Sequence, residues 1–275
     1  MDFILNEDQK MLRDTVRRIA GEKFAPIAAE IDEKEVFPSD SVSVLRDNGL
    51  LGIQIPEEYG GAGAGMLSMV LVVEEVARVC CSTSVILTTQ ALASDPLLLA
   101  GTEEQKKNFL RRLATGDCLG ACGITEPGAG SDVSGMKTTA RKVDGGYVLD
   151  GAKIFITNGG EAEIVTVLAC TDRDKGNRGI SMLILDKGMP GFTVGKKEHK
   201  MGLHGSDTRE LVFDNVFVPA DRLLGPEGSG FRTLMTTFNF TRPAVGGQAL
   251  GLAQGALEAS IRYGRERVQF GKPLS

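Results

Sequence analysis

The chain changes texture twice: helical periodicity runs to about residue 116, strand-like text to about 225, and helical composition then returns. Runs of helices followed by runs of strands, without alternation, fit segregated α and β layers and not a doubly wound sheet. The expected fold is α+β, with an N-terminal helical domain over 1–117, a middle β-domain over 118–228 and the start of a C-terminal helical bundle over 229–275.

Local signals place the elements. Asn6 with Gln9 resembles a capping box, and Leu12, Val16, Ile19 and Phe24 follow at helical spacing up to Pro26. Further helices are expected over Asp40–Asn48, Met66–Val79 and Glu103–Leu113. In the middle, Tyr147–Leu149 and Lys153–Thr157 flank Asp150-Gly151, which reads as a hairpin turn. Other strands are expected over Ile164–Ala169, Ile180–Leu185, Phe192–Val194 and Leu211–Phe217, with turns at Asp144-Gly145 and Met189-Pro190-Gly191. Two last helices, Gly230–Asn239 and Ala244–Arg267, follow, the second with Ala249, Leu252, Ala256 and Leu257 on an apolar face.

The densest chemical signal is the run from Cys122 to Gly135, Cys-Gly-Ile-Thr-Glu-Pro-Gly-Ala-Gly-Ser-Asp-Val-Ser-Gly. Glycines let a backbone approach a ligand or take positive φ, and exposed N–H groups beside hydroxyls suit a phosphate or a polar ring edge. The glycine spacing does not match Gly-x-Gly-x-x-Gly, and no βαβ pattern surrounds it. By itself the run also reads as a glycine-rich connecting loop.

Composition narrows the classes. With 42% hydrophobic residues the 275-residue chain can bury a core. A net charge of −5 with mixed signs argues against nucleic acid as partner. Five cysteines without Cys-x-x-Cys, and only His199 and His204 as imidazoles, predict free thiols and no metal site. Met1–Lys10 has no apolar h-region and no apolar run reaches membrane-spanning length, so a cytoplasmic protein is expected.

Three further motifs stand in line with the first: Lys153-Ile154-Phe155-Ile156-Thr157-Asn158-Gly159-Gly160, the polar loop Met201–Thr208, and Arg262–Gly271 with Arg265 and Arg267 near a helix end. Alone, they read as a hairpin strand, a turn and cations favouring a helix dipole. Together with Pro56-Glu57-Glu58-Tyr59-Gly60-Gly61, Thr125–Asp132 and Arg267–Leu274, their collinear order resembles the acyl-CoA dehydrogenase family over nearly the whole chain. The resemblance implies an N-terminal helical domain, a barrel-like middle β-domain and a C-terminal four-helix bundle. It also implies that the chain, which stops inside a family motif, is a C-terminally truncated copy.

By resemblance the cofactor is FAD. Residues matching Cys122, Ile124, Thr125, Gly130 and Ser131 contact the flavin and its phosphates, Thr125 at the ring edge and Ser131 at a phosphate. Phe155, Ile156 and Thr157 would lie beside the isoalloxazine, with Phe155 where the family often has tryptophan. Arg267, with Phe270, would reach the FAD of a neighbouring subunit in a homo-oligomer, a tetramer in the family. Ser131, Asn239, Phe240, Thr241 and Arg242 match the stretch that touches acyl-CoA. The implied reaction is α,β-dehydrogenation of a short or medium acyl-CoA to 2-enoyl-CoA, a step of fatty-acid β-oxidation, with electrons passed to an electron-transfer flavoprotein.

The base is the gap in the match. The family's usual glutamate falls beyond Ser275, and a minority places it before the arginine matching Arg242, where this chain has Thr241. Asp95 is a second candidate, because some relatives acting on alicyclic acyl-CoAs use an aspartate in that neighbourhood. Asp95 equally reads as an N-cap before Pro96. A non-catalytic flavin- or acyl-CoA-binding homologue and an acyl-CoA oxidase are the alternative readings.

Overall fold

The structure, a computed structural model, describes residues 4–275; the first three residues of the Met1–Lys10 segment lie outside the described residues. Helix α1 (Glu7–Ile19) starts on the expected capping box: Gln9 N–H donates to Asn6 Oδ1 at 2.8 Å, and Asn6 N–H donates to Gln9 Oε1 at 3.0 Å. A π-helical turn over Ala20–Phe24 buries Phe24 completely, and α2 (Ala25–Glu33) then carries Pro26 in its first turn. Helices α3 (Ser39–Asp47), α4 (Gly65–Ala77) and α5 (Cys81–Ala100) follow, then α6 (Glu103–Gln105) and α7 (Arg111–Thr115) around a π-helical turn, Lys106–Leu110. No helix among the described residues is long and apolar enough to cross a membrane.

Three sequence expectations about helices are corrected. α5 runs unbroken through Asp95 and Pro96, so Asp95 is not an N-cap. Most of α5 is buried on all sides, which erases the amphipathic period and keeps the helix intact across a residue that cannot donate. α8 (Gly230–Glu266) is likewise one helix through Pro243, not two. Its expected apolar face also fails: Leu252 and Leu257 are more than half exposed. The packed stripe is Gly247, Gly251 and Gly255, four residues apart, laid against the backbone of Val70, Glu74 and Arg78, also four apart. Backbone-to-backbone contact replaces side-chain burial along this seam. Glu75 of α4, 2% exposed, is clamped by Arg17 of α1 at 2.7 Å and by Arg78, which also reaches Glu258 of α8 at 2.8 Å.

The strands are β1 (Gly120–Gly123), β2 (Thr139–Val143), β3 (Gly146–Thr157), β4 (Ile164–Cys170), β5 (Ile180–Asp186), β6 (Phe192–Lys197), β7 (Thr208–Pro219) and β8 (Leu223–Leu224). Their order is β6-β7-β3-β2-β4-β5-β8, and β1 joins β4 in parallel. The sheet does not close into a barrel among the described residues: β8 is two residues long and pairs with β5, whereas β6 pairs with β7 at the far edge. The expected hairpin at Asp150-Gly151 is also corrected, since β3 passes straight through it. Gly151 sits at φ 142° in a bulge against β7, and a Cβ there would meet Thr138 Oγ1 at 2.6 Å. The hairpin turn lies at Asp144-Gly145, between β2 and β3.

The seam between α4 and α8 makes a direct prediction. A Cβ on Gly251 would lie 2.1 Å from the Glu74 carbonyl oxygen, whereas one on Gly246 meets nothing within 4 Å. Gly251→Ala is expected to lose about 2 kcal/mol in urea unfolding through overpacking, and Gly246→Ala to gain about 0.5–1 kcal/mol.

Candidate functional site

The Cys122–Gly135 run leaves the sheet at the end of β1 and is fixed by a residue from another strand. Lys153 on β3 is fully buried, and its Nζ donates to Glu126 Oε1 at 2.7 Å and to the Ile124 carbonyl at 3.1 Å. Glu126 also accepts from the N–H of Lys137 at 2.6 Å and of Thr138 at 3.0 Å, so both ends of the loop close on one carboxylate. Burial pushes the Glu126 carboxyl up, but the Lys153 ammonium and the two backbone N–H groups outweigh it and hold the carboxyl below its ordinary range. Burial lowers Lys153 from the usual lysine range, opposed by Glu126. A lysine inside the apolar text Lys153-Ile154-Phe155-Ile156 was the available signal for this pair.

Within that frame the loop turns tightly. Glu126 and Ala129 exchange N–H···O bonds of 3.0 and 3.1 Å, and Ile154 N–H donates to the Thr125 carbonyl at 2.8 Å. Gly123, Gly128, Gly130 and Gly135 all lie outside the positive-φ region, so conformational freedom is not their use here. Space is: a Cβ on Gly128 or Gly130 would meet nothing within 4 Å, which leaves the outer backbone open beside the exposed Ser131. Cys122 and Ile156 are buried, and burial pushes the Cys122 thiol up to about 11, so it stays protonated.

The end of β3 faces the same region. A bulge against β7 after Lys153 puts Phe155 at φ 57° with its ring 59% exposed, although it sits beside buried Ile156. Strained backbone that exposes an aromatic is a feature of ligand sites. Asn158, at φ 60°, ends the strand: its N–H donates to the Asp207 carbonyl at 2.8 Å, and Asp207 Oδ2 accepts from Gly160 N–H at 2.6 Å. Asp207 belongs to the polar loop read from sequence as a turn; it is buried and paired with Arg209 at 2.7 Å. Gly205 of that loop presses on Ile31 and Ser82, and His204 N–H donates to Asp32 at 3.1 Å.

Thr157 opens onto a cavity of about 420 Å³, whose helical walls are Thr88, Thr89 and Leu92 of α5 and Phe238, Thr241 and Arg242 of α8. Arg242 lies over the Phe238 ring at 5.2 Å, and Thr241 is buried. Asn239 and Phe240 are exposed and do not line it. Arg267 and Phe270 are exposed in a tail hairpin, β9 (Val268–Gln269) with β10 (Lys272–Pro273), which folds onto the end of α8. The cavity wall bears no carboxylate among the described residues.

Asp95 lies on α5 three residues beyond Leu92, one turn further along the face that lines the cavity. It is 4% exposed, accepts one hydrogen bond from Gln54 Nε2 at 2.7 Å, and its Oδ2 has no partner. Burial pushes its carboxyl up to about 7 against that hydrogen bond. Sequence reasoning missed Gln54, and also Gln90, which is fully buried and ties Leu113, Cys118 and Gly120 together at the start of β1.

The arrangement fits FAD. The open backbone over Gly128 and Gly130, the exposed Ser131 hydroxyl and the uncovered Phe155 ring face outward, and Thr157 stands on the cavity wall. The pair beneath them carries a testable cost. Lys153→Met leaves Glu126 buried and unpaired and is expected to lose about 3–5 kcal/mol in chemical denaturation. Adding Glu126→Gln, which removes the buried charge and keeps a carbonyl oxygen for one of the two N–H groups of Lys137 and Thr138, is expected to recover part of that loss.

Three family models match along the chain: the acyl-CoA dehydrogenase N-terminal domain over residues 6–117, the middle domain over 121–216 and the C-terminal domain over 228–275. An acyl-CoA dehydrogenase of Bacillus subtilis is 46% identical over 272 residues, covering 98% of this chain and 72% of that protein. The butyryl-CoA dehydrogenase structure from Megasphaera elsdenii aligns with a TM-score of 0.96 at 46% identity, over 100% of this chain and 73% of the other. A chain in the structure of the electron transferring flavoprotein of Acidaminococcus fermentans aligns with a TM-score of 0.98 at 46% identity, again over 100% and 73%. On three collinear domain matches and this identity, the chain belongs to the acyl-CoA dehydrogenase family, FAD-dependent oxidoreductases acting on CH–CH bonds.

Proposed function

We propose that this chain carries out FAD-dependent α,β-dehydrogenation of a short-chain acyl-CoA in the cytoplasm, passing electrons to an electron-transfer flavoprotein. The observation that carries the reading is the cavity walled by Thr157, Thr241 and Arg242 at the strand end that Lys153 and Glu126 tie to the Cys122–Ser131 loop. When bound, FAD supplies the acceptor for the hydride that leaves the β-carbon. Thr125, Gly130 and Ser131 offer hydroxyls and open backbone to its phosphates and ring edge, Phe155 an aromatic face, and Cys122, Ile124 and Ile156 the packed support beneath. Thr241 and Arg242 approach the acyl-CoA from the cavity wall, and Ser131, Asn239 and Phe240 from the exposed surface. The short acyl chain is supported by the likeness to butyryl-CoA dehydrogenase, and the acceptor by the Acidaminococcus structure. Arg267 and Phe270, exposed on the tail hairpin, suit contact with FAD held by a second copy in a homo-oligomer. We divide the chain at 117/118 and 228/229, where helical text gives way to strands and returns.

One observation favours a second reading of the base. Among the described residues Asp95 is a buried carboxylate with an unpartnered oxygen, one helical turn beyond Leu92 of the cavity wall, which suits proton abstraction from an alicyclic acyl-CoA. A base acts when deprotonated, so turnover is expected to rise with pH through about 7, where burial has moved this carboxyl. FAD-loaded protein is assayed with butyryl-CoA and with cyclohexanecarboxyl-CoA against a dye acceptor, reading 2-enoyl product. No product from either thioester contradicts the dehydrogenase reading. Asp95→Asn is expected to lower turnover by about 10²-fold or more, and unchanged turnover removes Asp95 as base.

A further inference from the structure

We infer that Gln54 is a positioning residue for Asp95: its amide N–H fixes one carboxylate oxygen and leaves the other, Oδ2, as the atom that takes up a proton. The inference rests on the reading of Asp95 as proton acceptor. Gln54 Nε2 to Asp95 Oδ1 is 2.7 Å, and both Gln54 Oε1 and Asp95 Oδ2 are buried without a partner. With Oδ1 engaged by the amide N–H, Oδ2 is the carboxylate oxygen whose lone pairs stay free to accept a proton.

Gln54 is held on a rigid platform. Ile53 and Ile55 on either side are buried, Ala64 N–H donates to the Ile53 carbonyl at 2.9 Å, and Gly63 N–H to the Ile55 carbonyl at 2.8 Å. Gly61 closes the turn, since a Cβ there would lie 2.1 Å from the Ile55 carbonyl oxygen. A side chain rooted in such a turn fixes its partner's orientation better than one on a mobile loop. Asp95 itself is flanked on α5 by fully buried Ala93 and nearly buried Ser94, and by Pro96, which has no N–H to offer.

Several charges on the elements packed against α5 are engaged elsewhere. Glu75 is bound to Arg17 and Arg78, Lys106 to Glu103, Arg112 to Glu163, and Arg242 lies over Phe238. Glu74 on α4 is itself raised by burial, and the Cys122 thiol on β1 is raised to about 11. The proton affinity of Asp95 is set by burial, which favours the neutral acid, and then by Gln54, which favours the carboxylate.

The test follows the Asp95 carboxyl directly, by ¹³C NMR of the full chain labelled in its aspartates, with Asp95→Asn assigning the signal. The expected midpoint is about 7, and Gln54→Met is expected to move it up by about one unit, the size of a hydrogen bond to a charged group. An unchanged midpoint in folded Gln54→Met overturns the inference, because a merely structural glutamine would cost stability without moving the titration. Should Gln54→Met fail to fold, Gln54→Asn, which withdraws the amide by one methylene, is expected to move the midpoint in the same direction, and an unchanged midpoint there overturns the inference equally. Turnover of the FAD-loaded protein separates the two ideas. Loss of turnover in Asp95→Asn with a midpoint insensitive to Gln54 sinks only the role of Gln54. Full turnover in Asp95→Asn sinks Asp95 as base, whatever Gln54 does.

Discussion

One buried ion pair organises the site: Lys153 of β3 with Glu126 of the loop that follows β1. Leaving either charge buried without the other costs about 3–5 kcal/mol, a large share of a domain's stability margin. Both enter because every available contact is used. The ammonium spans a carboxylate and a carbonyl, and the carboxylate collects two backbone N–H groups from the far side of the loop. Gly123 keeps the room: a Cβ there would stand 3.3 Å from Lys153 Cγ. The outward side of the loop is what remains for a ligand, and it carries the open positions over Gly128 and Gly130.

The helical layers supply the other walls. Gln90 uses all of its amide to fix the start of β1 against α5, so the loop and the cavity share one reference frame. The glycine seam brings α8 to backbone contact with α4, and Gln248 of α8 donates to Ser84 of α5 at 2.7 Å. Thr241 and Arg242 thereby reach the cavity that Thr157 enters from the sheet. On the α5 side the stripe through Thr88 and Leu92 continues into the interior as Asp95, where a carboxyl is retained without a countercharge. A group kept at that desolvation cost, with one oxygen unsatisfied, is more readily explained by chemistry than by stability.

Much of this was legible in the sequence, for physical reasons. The α–β–α order follows from periodicity, which depends on each residue's own neighbours, and so does the capping box at Asn6. The Cys122–Gly135 loop and the strand end at Phe155–Thr157 stood out because glycines, hydroxyls and an aromatic there break the apolar text. What sequence reading lost was decided across the fold. α5 is buried on all sides and shows no period, so Asp95-Pro96 looked like a helix start. Asp150-Gly151 has a hairpin's residues, but the close approach of Thr138 explains its glycine. In α8 the leucines drew the eye, whereas the glycines make the contact. Glu126 shows no role within its own motif, since its partner lies 27 residues away on another strand.

On the proposed function, the stapled loop presents its outer backbone to FAD. The direct measurement is quenching of FAD fluorescence on titration with the full chain, compared with Gly130→Val, whose Cβ would meet nothing within 4 Å in the protein. Binding is expected to saturate and to weaken at least about tenfold in Gly130→Val, about 1.4 kcal/mol, while thermal unfolding of the variant is unchanged. Equal FAD affinity in both proteins contradicts it.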